Sequence, residues 1–489
     1  MNLDTEGFEL ARQTRDSRFD GRFFVGVLTT GIYCRPVCPV RIPKKENVRL
    51  YPSAAAAAEA GFRPCLRCRP EVSPGTPAWL GSSYKVSRAL QLIAQGSMDD
   101  GSVNHLASSL EIGPRQLSRL FKKHIGASPV AVAQTRRLHF AKQLIDETTM
   151  NMSDICFASG FSSIRRFNDV LKNTYGLTPR QLRDRRKKPG KNNRGICIEL
   201  SYRPPYDWQS MLNFLATRAI PAVEEIFQNG YRRTLSLDGV NGEFSLVFSA
   251  STPSAQLTVY FPNTEQLLKI VERVRQLFDL KADSAAIERE LNQDSFIKRL
   301  TKKHSGLRVP GCWDGFEIAV RAIVGQQVSV KGASTLMTRI AERHGLTYQS
   351  ESAEENGSLH RIFPHAAILA EADLSELGIT GQRISAIHAV ATAVTTDELK
   401  FDGSQSTEVF VNRICQIKGI GEWTAQYIAL RALRDPNAFP HGDLILQRAA
   451  GFPDKPLTAR QLLKRAEAWQ PWRAYAVMLL WRHYQQITQ

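Results

Sequence analysis

Long apolar runs are missing: no stretch of the 489 residues stays apolar for the roughly 20 positions that a bilayer-spanning helix needs, so no membrane partner is expected. Also absent is a secretory signal, since Met1-Asn2-Leu3-Asp4-Thr5-Glu6 offers neither a basic start nor an apolar core, and a reducing cytoplasm is the expected compartment. Acidic charge is short. Asp and Glu number 47 against 64 Lys and Arg, leaving +17, and the shortage sits at the front: residues 1–194 hold 32 basic and 16 acidic side chains, the remainder 32 and 31. That front half favours a polyanionic partner, most simply nucleic acid. Cysteine is sparse too, at eight residues. Cys156, Cys197, Cys312 and Cys415 are scattered and expected to be packed, which excludes a disulfide framework. At about 150 residues per domain, three or four domains are expected.

The other four cysteines form the most informative cluster. Tyr33-Cys34-Arg35-Pro36-Val37-Cys38 is answered by Phe62-Arg63-Pro64-Cys65-Leu66-Arg67-Cys68. Two close thiol pairs separated by a longer loop suit one tetrahedral Zn²⁺ held by Cys34, Cys38, Cys65 and Cys68. The spacing does not say whether the site is only structural or also reactive, nor which sulfur would react. Phe23–Val27 is read as a strand and Ala54–Ala60 as a helix whose alanines are helix formers and nothing more. Ser73-Pro74-Gly75-Thr76-Pro77 reads as a linker. The cysteine segment, with Gly31–Cys38, Glu46-Asn47-Val48 and Ala60–Cys68, resembles the N-terminal domain of the Ada adaptive-response protein. The resemblance implies irreversible, stoichiometric transfer of a methyl group from a DNA methylphosphotriester to Cys34, with all four sulfurs remaining on zinc. Four thiolates on Zn²⁺ carry a formal −2, and methylating one leaves −1, so attraction to phosphate should rise. Arg35, Arg63 and Arg67, beside the ligands, are candidate phosphate contacts.

From Lys85 to Arg183 the apolar period is helical, and a repeat appears at an offset of fifty: Leu117, Leu120, Phe121, Lys122, Gly126 and Pro129 correspond to Phe167, Val170, Leu171, Lys172, Gly176 and Pro179. Each copy reads as helix, tight turn, helix, with second helices at Pro114–His124 and Ser162–Thr174. Their apolar positions face inward. Arg115, Gln116 and Arg119 in the first copy, and Arg165 and Arg166 in the second, are thereby left for a DNA groove. The segment resembles the AraC-type DNA-binding domain, which implies two recognition helices in successive major-groove segments of promoter DNA, and RNA polymerase as a further partner. Arg185–Lys191 reads as a basic linker.

After Arg194, Tyr231–Leu237, Glu243–Ser249 and Ala255–Phe261 alternate as antiparallel strands, and helices follow from Thr264. Ile417-Lys418-Gly419-Ile420-Gly421-Glu422-Trp423 places two glycines directly before a helix, where a tight hairpin can aim N–H groups at a phosphate. With Arg203–Trp208, Leu307–Cys312, Ile323–Val330, Phe439–Leu444 and Trp469–Tyr475, this half resembles the 3-methyladenine DNA glycosylase II family of helix-hairpin-helix glycosylases. The resemblance implies Asp443 as the catalytic carboxylate and Phe214, Trp423, Tyr427 and Trp472 as the base pocket. It also implies Gly419 and Gly421 in the phosphate-gripping hairpin, Gln327 at the base-stack wedge, and no cofactor for base excision. Two departures matter: relatives that also cleave the backbone carry lysine where Trp423 stands, so a monofunctional enzyme is expected, and Gln327 is polar where the wedge is commonly apolar. Neither a closing four-cysteine run for an iron–sulfur cluster nor the Pro-Cys-His-Arg site of O6-alkylguanine transfer is present.

The expected architecture is multidomain α+β: a zinc methyl-acceptor domain at 1–75, an all-α double helix-turn-helix domain at 84–188, an antiparallel-sheet lobe at 195–308, and a helical helix-hairpin-helix glycosylase body at 309–489. The expected function is an alkylation-damage response combining methyl transfer, transcriptional activation and excision of alkylated bases from double-stranded DNA. The competing reading is a methylation-sensing regulator whose glycosylase-like half only binds DNA.

Overall fold

Four short strands carry the cysteines. Val48–Tyr51, Phe24–Val27 and Ile32–Cys34 pair antiparallel, and Arg63–Pro64 adds alongside Ile32–Cys34 in parallel. That last pairing sets Tyr33 opposite Pro64. With Cys65 N–H donating to Tyr33 O at 3.0 Å, it brings the two cysteine pairs, some thirty residues apart in sequence, to one end of the sheet. Gly26 is needed where it stands, because a Cβ there would lie 2.7 Å from the Tyr51 ring and 3.0 Å from Phe62. A helix at Thr5–Thr14, not expected from the sequence, covers the sheet through Phe8, which stacks on Phe23 at 4.5 Å.

The computed structural model describes residues 5–75, 84–99, 102–185, 195–352, 359–403, 405–451 and 455–487. Residues 76–77 of the first expected linker and 186–191 of the second lie outside them. The chain divides into two compact units, one of Met1–Pro204, Phe248–Arg275 and Leu280–Asp283, the other of Pro205–Val247, Gln276–Asp279 and Ser284–Gln489. No described helix is long and apolar enough to cross a membrane.

In the first unit the fifty-residue repeat folds as the same device twice. Val103–Ser108 leads into Pro114–Ile125, and Met152–Ala158 into Ile164–Tyr175. Leu117 and Phe121, then Phe167 and Leu171, are fully buried. Each second helix ends at a glycine with positive φ, 75° at Gly126 and 68° at Gly176, a conformation that costs other residues energy. Ser128 and Thr178 then cap helices opening with Pro129 and Pro179. The long helix Pro129–Glu147 links the copies.

The alanine run has a second task. Ala55 and Ala56 are buried in one apolar cluster with Val86, Leu117, Phe121 and Ile125 of the helical segment, because only small side chains allow so close an approach. Ser53 caps this helix, Ala54–Glu59, and donates to Ile125 O at 2.8 Å. Glu59 accepts from Ser128 N–H at 3.0 Å and Ser128 Oγ at 2.7 Å, and pairs with Lys122. Tyr33 Oη lies 2.8 Å from His139 Nε2. The same unit contains an antiparallel pair, Ile196–Ser201 with Ser254–Tyr260, the first of which is not among the expected strands although Ile196, Ile198 and Leu200 alternate in it.

The second unit holds the meander Glu224–Phe227, Gly230–Leu237 and the strand Val240–Phe248 up to Val247 and a body of helices. Its central helix, Gly315–Val324, is buried on every side from Phe316 to Val324, as a helix apolar all round should be. The one acid among those residues, Glu317, is paired with Arg233 at 2.8 Å. The whole is a multidomain mixed α+β protein, as expected.

Candidate functional site

The four cysteine sulfurs of the first unit all lie within 4.8 Å of one another and are buried. Crowding divides them: hydrogen bonding to neighbouring sulfurs pushes Cys34 and Cys68 up and draws Cys38 and Cys65 down. A set that cannot ionise fully by itself, built only of sulfur and closed to solvent, fits a single tetrahedral Zn²⁺. Backbone N–H groups support three of the sulfurs, Arg35 on Cys68 at 3.4 Å, Val40 on Cys38 and Cys68 on Cys65. The chief influences on Cys34 are the other sulfurs and burial.

Arg35 does not face solvent. Its guanidinium grips Asp20, with Nε 2.9 Å from Oδ1, and donates to Cys68 O at 3.2 Å. It is therefore a brace for the cysteine loop and not a phosphate contact, while Arg63 and Arg67 are exposed. On the recognition helices the placement agrees with the sequence pattern. Arg115, Gln116 and Arg119 on Pro114–Ile125, and Arg165 and Arg166 on Ile164–Tyr175, are all exposed.

A cavity of about 790 Å³ opens in the second unit, lined by Phe214, Trp423, Tyr427, Trp481 and Asp443 among others. This volume suits a nucleobase-sized ligand. Trp423 and Tyr427 stack at 5.9 Å with 17° between planes, and Phe214 and Trp481 at 6.3 Å with 20°. Asp443 caps the helix Leu444–Ala450, its Oδ1 accepting from Leu446 N–H at 3.0 Å, and its Oδ2 accepts from the Trp423 indole at 3.2 Å. Both oxygens are thus oriented. Burial pushes the Asp443 carboxyl above the ordinary aspartate value, against the pull of those bonds.

Beneath the aromatics, Arg431 donates to Pro310 O at 2.7 Å, Gly311 O at 2.8 Å and Tyr427 Oη at 3.0 Å. Arg218 covers the Phe214 ring at 3.7 Å. Burial acts to raise the Tyr427 phenol, but Arg431, Arg218 and Arg321 outweigh it and hold the group below its ordinary value.

Trp472 is a correction. It is not among the residues lining the cavity; it is buried, its indole donates to Glu290 Oε2 at 2.5 Å, and its ring meets Tyr475 edge-on. Trp481 takes its place in the aromatic set. Both flank or lie on the C-terminal helix Arg473–Ile487, and the quotable Trp469–Tyr475 motif drew attention to the wrong one. Arg218 and Arg431 were also missed. Arg218 lies just past the end of the helix Trp208–Ala216 and bonds back to Phe214 O at 3.2 Å, a contact for which the sequence offered no signal.

Gly419 has φ 94° and Gly421 is the residue before the helix Glu422–Ile428. Ile420 N–H turns back to Ile417 O at 3.1 Å, and among the described residues no protein acceptor takes the N–H of Gly419 or Gly421. Gln327 is exposed at the tip of the loop between Gly315–Val324 and Val330–His344, with φ 52°. Neighbours of Gln327 in that loop, Gly325 and Val328, line the cavity.

Residues 9–71 match the family described as the metal binding domain of Ada, residues 106–185 a helix-turn-helix domain family, and residues 197–314 the AlkA N-terminal domain family. Over 485 residues the chain is 39% identical to a probable bifunctional transcriptional activator/DNA repair enzyme AlkA of Mycobacterium tuberculosis, covering 98% of this chain and 97% of the relative. It is 34% identical over 290 residues to DNA-3-methyladenine glycosylase 2 of Escherichia coli, covering 58% of this chain and 95% of that one. Among solved structures, a 3-methyladenine DNA-glycosylase from Archaeoglobus fulgidus is similar at TM-score 0.53 and 20% identity, over 59% of this chain and 99% of that chain, a likeness of fold.

Proposed function

Because the chain belongs to the family of bifunctional transcriptional activator/DNA repair enzymes AlkA, we propose that it accepts methyl groups from DNA methylphosphotriesters, activates promoters, and excises alkylated bases. In this reading residues 1–75, 84–188, 195–308 and 309–489 are the methyl-acceptor, reader, lobe and glycosylase body. DNA, both alkylated and promoter, is the partner, and RNA polymerase is contacted from the reader.

Cys34, Cys38, Cys65 and Cys68 would hold one Zn²⁺, which when bound would tie the segment together and keep the sulfurs as thiolates at neutral pH. Cys34 Sγ attacks the methyl carbon of the triester. The S–C bond forms as the C–O bond breaks, and its electron pair stays on the phosphate oxygen, restoring a diester. The product is a stable thioether, and as the resemblance to Ada implies, each chain acts once. The choice of Cys34 rests on the match of residues 9–71 to the metal binding domain of Ada, in which the first cysteine of the cluster is the acceptor. Arg63 and Arg67, exposed beside the cluster, are placed to meet the flanking phosphates.

The observation that carries the glycosylase reading is the carboxylate of Asp443, held by Trp423 at 3.2 Å at the wall of an aromatic cavity. An alkylated purine is already cationic and a good leaving group. The enzyme flips it, stacks it on Trp423, Tyr427, Phe214 and Trp481, and places Asp443 against the oxocarbenium-like sugar while water adds at C1′. The hairpin N–H groups of Gly419 and Gly421 grip a phosphate. Trp423 provides no amine for a Schiff base, so the reaction ends at the abasic site. The test is release of 3-methyladenine and 7-methylguanine from methylated DNA by wild type and Asp443→Asn. Loss of about 10²-fold or more in the variant is expected; no release by wild type sinks the enzymatic reading and leaves the regulator whose second half only binds DNA.

A further inference from the structure

One side chain joins the three working parts of the second unit. Gln326 Nε2 donates to Gly419 O at 2.9 Å and to Thr424 Oγ1 at 3.1 Å. Gly419 lies in the hairpin, and Thr424, itself buried, follows Trp423, whose indole bonds Asp443. The backbone of Gln326 is held from the opposite side, since the Arg383 guanidinium donates to Gln326 O. Directly after it, Gln327 takes φ 52°, a left-handed conformation that a side chain longer than Asn seldom adopts without support. Its side chain is exposed at the tip of the loop. The order is therefore a strained, solvent-facing residue preceded by one anchored three ways. Strain of this kind persists only where the surroundings fix it.

We propose that Gln326, together with Arg383, is a positioning residue that locks the Gln327 loop to the hairpin, so that gripping the phosphate, filling the vacated base stack and presenting Asp443 occur in one rigid frame. The inference rests on the glycosylase reading above. It also accounts for a polar residue at the loop tip: the fixed backbone holds Gln327 in place, and the tip need not rely on apolar contact to stay there.

The frame matters when the damaged base must be drawn from an intact stack, and little when the base is already unpaired. Base release is measured in single turnover for one 7-methylguanine paired with cytosine and for the same lesion opposite an abasic gap, with 2-aminopurine beside the lesion reporting unstacking. Gln326→Ala, Gln326→Glu and Arg383→Ala are compared. Gln326→Glu keeps shape but loses the donor that Gly419 O requires. All three are expected to lose about 10- to 100-fold on the paired lesion and less than about 3-fold on the gapped one, with weaker 2-aminopurine signal on the paired duplex. Equal losses on both substrates, or a Gln326→Glu variant with the wild-type ratio, overturns the proposal. If wild type releases no base, the glycosylase reading falls, and the unstacking signal alone decides the inference: a signal present in wild type and undiminished in the variants overturns it.

Discussion

Two tryptophans nine residues apart should give opposite phenotypes. Trp481 faces the cavity, stacked on Phe214 at 6.3 Å and tilted against Tyr427 at 6.3 Å. Trp472 is buried against Tyr475 with its indole on Glu290. Replacing Trp481 with alanine removes a stacking surface for the flipped base, worth about 1–3 kcal/mol, or roughly 5- to 150-fold in kcat/KM for base release. The Tm should move less than for a core tryptophan, because Trp481 is only partly buried, although its ring packs on Phe214 and Tyr427 and its indole also bonds Asp443. Replacing Trp472 with phenylalanine retains most of the packing and removes one indole bond to Glu290, whose side chain is exposed and can bond water instead, costing about 0.5–1.5 kcal/mol of stability. For a unit of this size each kcal/mol lowers Tm by about 2–4 °C, while kcat/KM measured well below Tm should stay within about twofold. Both quantities come from one preparation of each variant, by thermal melting and by single-turnover release of 7-methylguanine. A Trp472→Phe enzyme of unchanged Tm and tenfold lower kcat/KM, or a Trp481→Ala enzyme of full activity, would refute the placement of the two rings.

At Asp279, burial raises the carboxyl to about 6 despite Arg308 and the Tyr475 hydroxyl at 2.8 Å. A folded value above the unfolded one means a contribution fully present below about pH 4 and lost as pH rises through 6, so Asp279→Asn should stabilise the protein at pH 8 by at most about 3 kcal/mol and do nothing favourable at pH 4; urea titrations at the two pH values check it. Arg35→Ala, which frees buried Asp20, should unfold the cysteine segment earlier and weaken zinc retention, whereas Arg165→Ala should keep stability and lower promoter affinity by about 1–3 kcal/mol; a zinc-release assay and fluorescence anisotropy separate them. Methylating Cys34 removes one negative charge from the cysteine cluster and should tighten promoter binding several-fold, the gain shrinking as salt rises, and equal anisotropy curves for both forms at matched salt would refute it.

Much of this was readable from residue order because the constraints were local. The repeat at an offset of fifty reappears as buried Leu117 and Phe167, as paired left-handed Gly126 and Gly176, and as paired caps Ser128 and Thr178. Cysteine spacing announced a cluster whose sulfurs meet within 4.8 Å. What escaped depended on tertiary partners. Glu224–Phe227 is only four residues long and starts with two acids; Ile196–Ser201 does alternate, Ile196, Ile198 and Leu200 against Cys197, Glu199 and Ser201, but it follows a basic linker and its partner strand lies some sixty residues on. Arg35 reads as one more basic residue in a basic segment until Asp20, fifteen positions earlier, is placed beside it. Trp472 and Trp481 differ only in which way the C-terminal segment turns them.

The alanine run shows how such hidden contacts bear on function. A run of good helix formers satisfies local propensity, and nothing in it calls for a partner. Yet Ala55 and Ala56 are buried with Leu117 and Phe121, the inward face of the first recognition helix, and Ser53 and Glu59 at the ends of the run bond to Ile125 and Ser128. The methyl-acceptor sheet is therefore fastened to the helix that reads DNA by small residues inside and polar bonds at both ends. On the proposed reading, a methyl on Cys34 would need no conformational relay to act on promoter binding, because the loss of charge changes the field at nearby phosphates directly.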